Sequence, residues 1–310
     1  MLTLICLVLF IFFYPKRNIV YWLFIAGITL NALYLLYNIL PFTVFGKKHI
    51  YNVNHYKKGE GLSIMIANVY QDNKDTKGCL EEIYKADPDV VFLLETNKRW
   101  EQGTIDLENK YPYNVKVPKE NTYGMLLYSK LELSNAEVKY LVEDDIPSIH
   151  TDVILENGKT IRLFGLHPTP PVPNENPRST ERDKELLIVA DIVKKSKHPV
   201  VVIGDLNDVA WSYTTELFLK MSGLLDPRRG RGFYNSFHAH YFFMRFPLDH
   251  AFISTEFKLR SLKRLHNFGS DHFPIYLDIQ YEADASSQQH SMNADADEKQ
   301  EAEEKKAKST

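Results

Sequence analysis

Asn68 in IMIANV, Glu95 in VVFLLET, His167 in LFGLHPTP, Asp205 and Asn207 in VVVIGDLND, and Asp271 with His272 in GSDHFP share one arrangement. Each stands at the edge of a hydrophobic run. Carboxylates, amides and imidazoles without cysteine suit a hard cation and a phosphate ester. Runs of this kind read as buried strands, and polar groups placed where strands emerge can converge at the rim of a sheet.

Each cluster carries its own chemistry and its own plainer alternative. Asp205 and Asn207 lie two apart, so an extended strand continuing past Gly204 points both side chains the same way. The carboxylate could then direct an attacking water while the amide donates to a phosphate oxygen. The alternative is an ordinary turn, for which Gly, Asp and Asn are common. Glu95 follows largely apolar residues and is costly to bury unless it is paired or binds a cation. Mg²⁺, with Mn²⁺ as a substitute, takes one or two carboxylates and keeps several waters, so Glu95 with Asn68 and Asp271 would suffice for a partly open metal site. The alternative is a strand-end surface glutamate. His272 can serve as a base or, protonated, neutralise phosphate charge. It needs an orienting acceptor, for which Asp249 in RFPLDHAFIS is the candidate. His167 is a second histidine facing phosphate. His238, His240, His250 and His266 lack such a context and read as surface or satisfied core residues.

The elements that must hold these groups follow from pattern. Between Leu62 and Tyr281 short apolar runs alternate with amphipathic stretches such as TKGCLEEIYKAD, where Leu80, Ile83 and Tyr84 recur at helical spacing and Asp87 with Pro88 stop the helix. This predicts a mixed α/β domain with many strands. The chain has 310 residues, 44% hydrophobic and 13% aromatic, which is ample for a large core and excludes a disordered protein. The formal charge is −3, of which the segment from Glu282 onward, with eight acidic and four basic residues, supplies −4. The body is therefore not basic, and composition disfavours nonspecific nucleic-acid binding. Two cysteines, Cys6 and Cys79, make neither a disulfide framework nor a thiolate metal site.

Residues 1–41 are expected to form a membrane anchor of one or two helices. Ile19 to Leu40 is almost uninterrupted apolar sequence with only Asn31 and Asn38 strongly polar, and a span needs roughly 20 such residues. Leu2 to Tyr14 is a second, shorter run without the basic leader and cleavage site of a secretory signal. Lys16 and Arg17 between the runs point the following domain to the outer side, whereas Lys47, Lys48, Lys57 and Lys58 argue the other way. Residues 42–61 read as a linker, 62–281 as the catalytic domain, and 282–310 as a disordered charged tail. Arg228, Arg229 and Arg231, with the aromatics up to Phe246, suggest a substrate-facing loop or, equally, a surface loop with a packed aromatic base.

Taken in order, Asn68, Glu95, His167, the GDLND run, LDH at 248–250 and SDH at 270–272 resemble the endonuclease/exonuclease/phosphatase superfamily, over about 62–281. The set in this order is specific although each motif is short. The resemblance implies a deoxyribonuclease-like two-sheet α/β sandwich flanked by helices, and Mg²⁺-dependent phosphoester hydrolysis. Asn68, Glu95 and Asp271 then look like the metal side and Asp205 like the water-directing acid. Asn207 and His167 look like phosphate contacts, and Asp249 like the partner of His272. Membrane-anchored bacterial members look closest, implying a bacterial inner membrane as the location. Two departures stand out: Tyr70 occupies a place that is acidic in some nucleases of the family, which weakens a DNA-repair reading, and GDLN replaces GDFN. The expected substrate is a phosphodiester or monoester in nucleic acid, a nucleotide or a lipid headgroup. The rivals are a membrane-anchored module that binds such ligands without turnover, and a charged tail that recruits a partner.

Overall fold

Long apolar runs broken by turns pair into two sheets. A computed structural model of the chain describes residues 2–14, 18–171 and 178–308. Its helices are α1 (Leu2–Phe13), α2 (Ile19–Ile39), α3 (Thr76–Ala86), α4 (Lys98–Gly103), α5 (Thr180–Lys194), α6 (Tyr213–Ser222) and α7 (Ala296–Ala307). The strands are β1 (Gly61–Asn68), β2 (Val90–Leu94), β3 (Tyr113–Val117), β4 (Met125–Ser129), β5 (Leu133–Lys139) and β6 (Ser148–Ile154), followed by β7 (Thr160–Leu166), β8 (Val200–Asp205), β9 (Asp249–Ile253), β10 (Phe257–Arg264) and β11 (Ile275–Tyr281).

One sheet has six strands in the order β10-β11-β1-β2-β4-β3, the other five in the order β5-β6-β7-β8-β9. Each contains one parallel pair, β1 with β2 and β7 with β8, amid antiparallel neighbours. Ile64, Phe92 and Leu127 of the first sheet meet Leu163, Ile203 and Ile253 of the second in the central core. The outer face of the first sheet buries Met65, Val91 and Leu93 against Cys79 and Ile83 of α3 and Trp100 of α4. The outer face of the second buries Phe164, Val202 and Phe252 against α5 and α6. A strand covered on both faces must be apolar throughout, which is why β2 and β8 read as continuous hydrophobic runs. The result is the expected two-sheet sandwich flanked by helices.

The tail differs from its expectation. Residues 296–307 form a helix, capped by Asp295 and Glu298 in a reciprocal box. Ala302 packs into the α5/α6 core, and Lys305 pairs with Asp183 at 2.8 Å and Glu298 with Lys220 at 2.5 Å. The composition looked unfoldable because almost no large apolar residue is present. Here a small-residue contact and ion pairs to partly buried acceptors hold the helix down instead.

The expected linker at 42–61 is also partly docked. Phe42 and Ile50 are fully buried, Val53 donates to the Leu259 carbonyl at 2.9 Å, and Arg231 binds Asn52 Oδ1 at 2.6 Å. Two apolar side chains in a polar stretch suffice to seat it.

Helix α2 runs 21 residues, about 32 Å at 1.5 Å per residue, close to the hydrocarbon thickness of a bilayer. Trp22, Leu23, Leu33 and Leu36 on it are exposed. Ile19–Phe42 is long and apolar enough to cross a membrane. The shorter α1 stacks on it through Phe10, whose ring lies 4.1 Å from that of Phe24. Lys16 and Arg17, on which the orientation reading turned, lie outside the described residues.

Candidate active site

The two parallel pairs bring the site together, because parallel neighbours end on the same side. Asn68 is paired with Leu94 in register, so Asn68 and Glu95 leave the first sheet side by side. Leu166 is paired with Gly204, so His167 and Asp205 leave the second sheet together. Antiparallel β9 begins where β8 ends, placing Asp249 opposite Asp205. Gly204 is required at this corner. Its φ is +146°, and a Cβ there would meet the Leu166 carbonyl oxygen at 1.8 Å.

One hydrogen-bonded chain crosses from sheet to sheet. The Asn68 amide donates to Glu95 Oε1 at 2.7 Å and to Asp205 Oδ2 at 3.1 Å. Its Oδ1 accepts from the Tyr70 backbone at 3.0 Å. His272 Nε2 lies 3.5 Å from Asp205 Oδ2, and its Nδ1 lies 2.7 Å from Asp249 Oδ2. Asp205, Asp249 and His272 are all buried. An imidazole clasped between two carboxylates favours its charged form. Burial works against that charge, yet Asp249 and then Asp205 overcome it and raise the His272 pKa to about 10. The same cation holds Asp249 below the usual carboxylate range against the opposing effect of burial. Asp205 is pushed up to about 7, burial and the nearby Asp249 outweighing His272.

Burial likewise raises the Glu95 carboxyl, opposed by the Asn68 amide and His272. Glu95 Oε2 accepts from the Gln71 backbone at 3.3 Å. Asp271 follows Ser270, whose hydroxyl donates to the Asn68 carbonyl at 2.8 Å. Its Oδ1 is buried without a hydrogen-bond partner. His167 is buried, lies against the Tyr123 ring at 5.3 Å, and its Nδ1 has no partner either. Burial, with His272 nearby, lowers its pKa to about 4 and keeps it neutral.

The oxygen donors at Asn68, Glu95 and Asp271 suit a divalent hard cation. The orphaned Asp271 oxygen and the buried Glu95 carboxyl are groups a cation would satisfy. Asp205, Asp249 and His272 also lie close enough together to hold an ion. Both nitrogens of that imidazole already face carboxylates, so a shared proton accounts for this trio and the metal reading falls to the Glu95 side.

Asn207 departs from the expected geometry. The strand ends at Asp205, and Asn207 turns into left-handed backbone at φ +51°. Its backbone N–H donates to Asp205 Oδ1 at 3.0 Å and its amide to the Pro168 carbonyl at 3.0 Å. A turn, not extended-strand alternation, thus brings the Asn207 N–H onto the Asp205 carboxylate. One amide hydrogen is committed to the Pro168 carbonyl.

Two arginines of the cluster are bonded into the body. Arg228 is buried and paired with Asp226 at 2.7 Å, and Arg231 is bonded to the 50–52 backbone and Asn52. The aromatics beyond it are the exposed part: Phe242 is 80% exposed, with Tyr241, Phe243 and Met244 beside it. The Phe237 ring of the same loop lies 5.0 Å from that of His272, tilted by 48°. Sequence reasoning missed the supports. Arg182 binds the Asn207 carbonyl at 2.7 Å, and Ser236 Oγ accepts from the Asp249 N–H at 3.1 Å. A serine or an arginine far along the chain leaves no local signal of such a contact.

A two-sheet sandwich with acids, amides and imidazoles at one rim is the architecture that the sequence resemblance implies. The chain belongs to the endonuclease/exonuclease/phosphatase family, whose sequence profile matches residues 51–272. Among solved structures it is similar to a humanised D. rerio TDP2, at 18% identity and TM-score 0.60, covering 71% of this chain and 99% of that one. It is similar to an endonuclease/exonuclease/phosphatase from Beutenbergia cavernae, at 16% identity and TM-score 0.58, covering 72% of each chain. The catalytic domain of human Nocturnin, solved with a bound sulfate, is similar at 18% identity and TM-score 0.58, covering 73% of this chain and 96% of that one. No curated protein matches the chain by sequence.

Proposed function

We propose that this protein is a membrane-anchored, Mg²⁺-dependent phosphoesterase. The observation that carries the reading is the Asn68 amide joined to Glu95 on one side and Asp205 on the other, with His272 next in line. Asn68, Glu95 and Asp271 would hold the cation, which supplies charge neutralisation at a phosphoryl oxygen when bound. Asp205, accepting from the Asn207 N–H, orients water and takes its proton. His272, held by Asp249, presents positive charge to the phosphate, and His167 and Asn207 offer it neutral donors. Exposed Tyr241, Phe242, Phe243 and Met244, beside Phe237, give the rim an apolar lip. Together with the apolar α2, that lip supports an amphiphilic phosphoester over a nucleic acid. The fold's relatives include nucleases by name, so nucleic acid stays in the test.

The purified full chain is to be screened against DNA, RNA, nucleotides and phospholipids with Mg²⁺ and with a chelator. Metal-dependent turnover of a phospholipid or another amphiphilic ester is expected. Calorimetric Mg²⁺ binding with no hydrolysis across the panel would favour the binding module instead.

A further inference from the structure

A cavity of 640 Å³ lies away from the catalytic rim, where α2 meets the body. Three parts of the chain wall it. Tyr37, Leu40 and Phe45 supply an apolar side, continuous with the exposed apolar surface of α2. Lys47, Lys48 and Arg229 supply a basic side, and no acidic residue lines the cavity. Residues 288–292 of the C-terminal segment close it, held by Gln289, which binds the Tyr51 N–H at 2.9 Å and the Thr255 carbonyl at 2.7 Å.

Of the three cations, only Arg229 has an ion-pair partner among the described residues. Lys47 and Lys48 have no ion-pair partner among the described residues. Arg229 has a distant one, Glu216 at 3.5 Å, and rests its guanidinium 5.2 Å from the Phe42 ring. Its Nε is buried without a hydrogen-bond partner. The wall behind them is rigid: Gly230, at φ +74°, donates to the Pro41 carbonyl at 2.8 Å, and a Cβ there would meet Lys48 and Gly46 backbone atoms. His49 is fixed by the Asp226 N–H at 3.2 Å.

A site with an apolar wall leading onto the candidate span and three cations on its other side fits a ligand that is both acyl-chained and anionic. We infer that this cavity binds the headgroup of an anionic phospholipid, its phosphate against Arg229, Lys47 and Lys48 and its chains along the last turns of α2. A zwitterionic headgroup would leave Lys47 and Lys48 without net compensation. The lipid would bridge the anchor, the juxtamembrane segment and the C-terminal segment, fixing how the catalytic body sits on the bilayer. This inference rests on α2 being membrane-inserted.

The test uses the full chain in detergent micelles, with thermal unfolding followed on adding phosphatidylglycerol, phosphatidylcholine or glycerol 3-phosphate. Phosphatidylglycerol is expected to raise the midpoint by on the order of 3 °C, and a Lys47→Gln/Lys48→Gln variant to lose most of that rise. Both side chains are exposed, so the variant folds, and its hydrolysis of a soluble phosphoester is expected to match wild type. An equal rise from phosphatidylcholine or from glycerol 3-phosphate overturns the assignment, as does an undiminished rise in the variant. Flotation with pure phosphatidylcholine vesicles separates the two readings. A wild type that does not float removes the anchor and the lipid site together, whereas one that floats but shows no preference for phosphatidylglycerol removes the lipid site alone.

Discussion

Three site residues with side chains, Tyr70, Glu95 and Asn207, hold positive φ of +58°, +58° and +51°. That region is unfavourable for most residues with a side chain and less so for asparagine, so the turns after β1 and β2 hold Tyr70 and Glu95 there against a local penalty. Glu95 gains from its turn the Asn68 amide and the Gln71 N–H, which hold the carboxylate in place. Glu95→Gln keeps the shape and removes the charge. Its Mg²⁺ affinity, measured calorimetrically, should fall by roughly 100-fold or more, since even outer contacts of a metal site are worth about 10–100-fold. Unchanged affinity would move the cation elsewhere. Glu185, on the helix that carries Arg182, offers a further check. It is buried on α5 with Oε1 unpartnered, and burial, aided by Glu143, pushes its carboxyl from 4.5 up to about 8. Between those values the folded state keeps a proton the unfolded state has released, so stability falls as pH rises through that window. Glu185→Gln should therefore stabilise by on the order of 2 kcal/mol at pH 8.5 and little at pH 5 in urea titrations. Equal gains at both pH values would show that the buried charge is not the cause.

Among the elements, what was legible in the sequence and what was not divides on a physical line. Continuous apolar runs such as VVFLL and VVVIG announce strands covered on both faces, and the polar residue that ends each run announces the rim. Asn68, Glu95, His167, Asp205 and His272 were therefore visible as candidates before any pairing was known. The turn at Asn207 was not, because left-handed backbone and a bond to Pro168 depend on a neighbouring strand. Nor was the inward turn of Arg228 and Arg231, whose partners Asp226 and Asn52 fit several other readings. Helix α7 carried a legible start in Asp295 and Glu298 and a basic last turn in Lys305 and Lys306. It lacked an apolar stripe, and polar anchoring is not a periodic signal. Removing 295–310 leaves buried Asp183 without Lys305 and uncovers the surface beneath Ala302. Denaturant unfolding should show a loss of roughly 2–4 kcal/mol. A midpoint unaffected by the deletion would restore the disordered reading.

Across the whole molecule, two sheets and their flanking helices put the candidate site at one rim and the candidate span at its flank. Phe42, at the end of the candidate span, packs 6.3 Å from Trp211, and Trp211 packs 5.6 Å from Phe233. Trp211 belongs to the loop that follows Asp205 and Asn207. The candidate span is thus joined to the rim that carries the candidate site by a short aromatic chain. A fragment beginning at residue 62 forfeits the burial of Phe42 and Ile50, about 3 kcal/mol or more. It should unfold at lower denaturant than one beginning at residue 42, and equal midpoints would return this stretch to a passive linker. The central claim is that side chains from both sheets act as one hydrolytic unit, and a double-mutant cycle tests it most directly. Turnover of a single phosphoester with Mg²⁺ is to be measured for wild type, Asp205→Ala, His272→Ala and the double variant. Each single change should cost at least ~100-fold in turnover, and the pair together little more than either alone, as for residues that work in concert. Near-wild-type turnover in either single variant, or losses that simply multiply in the double, would contradict it.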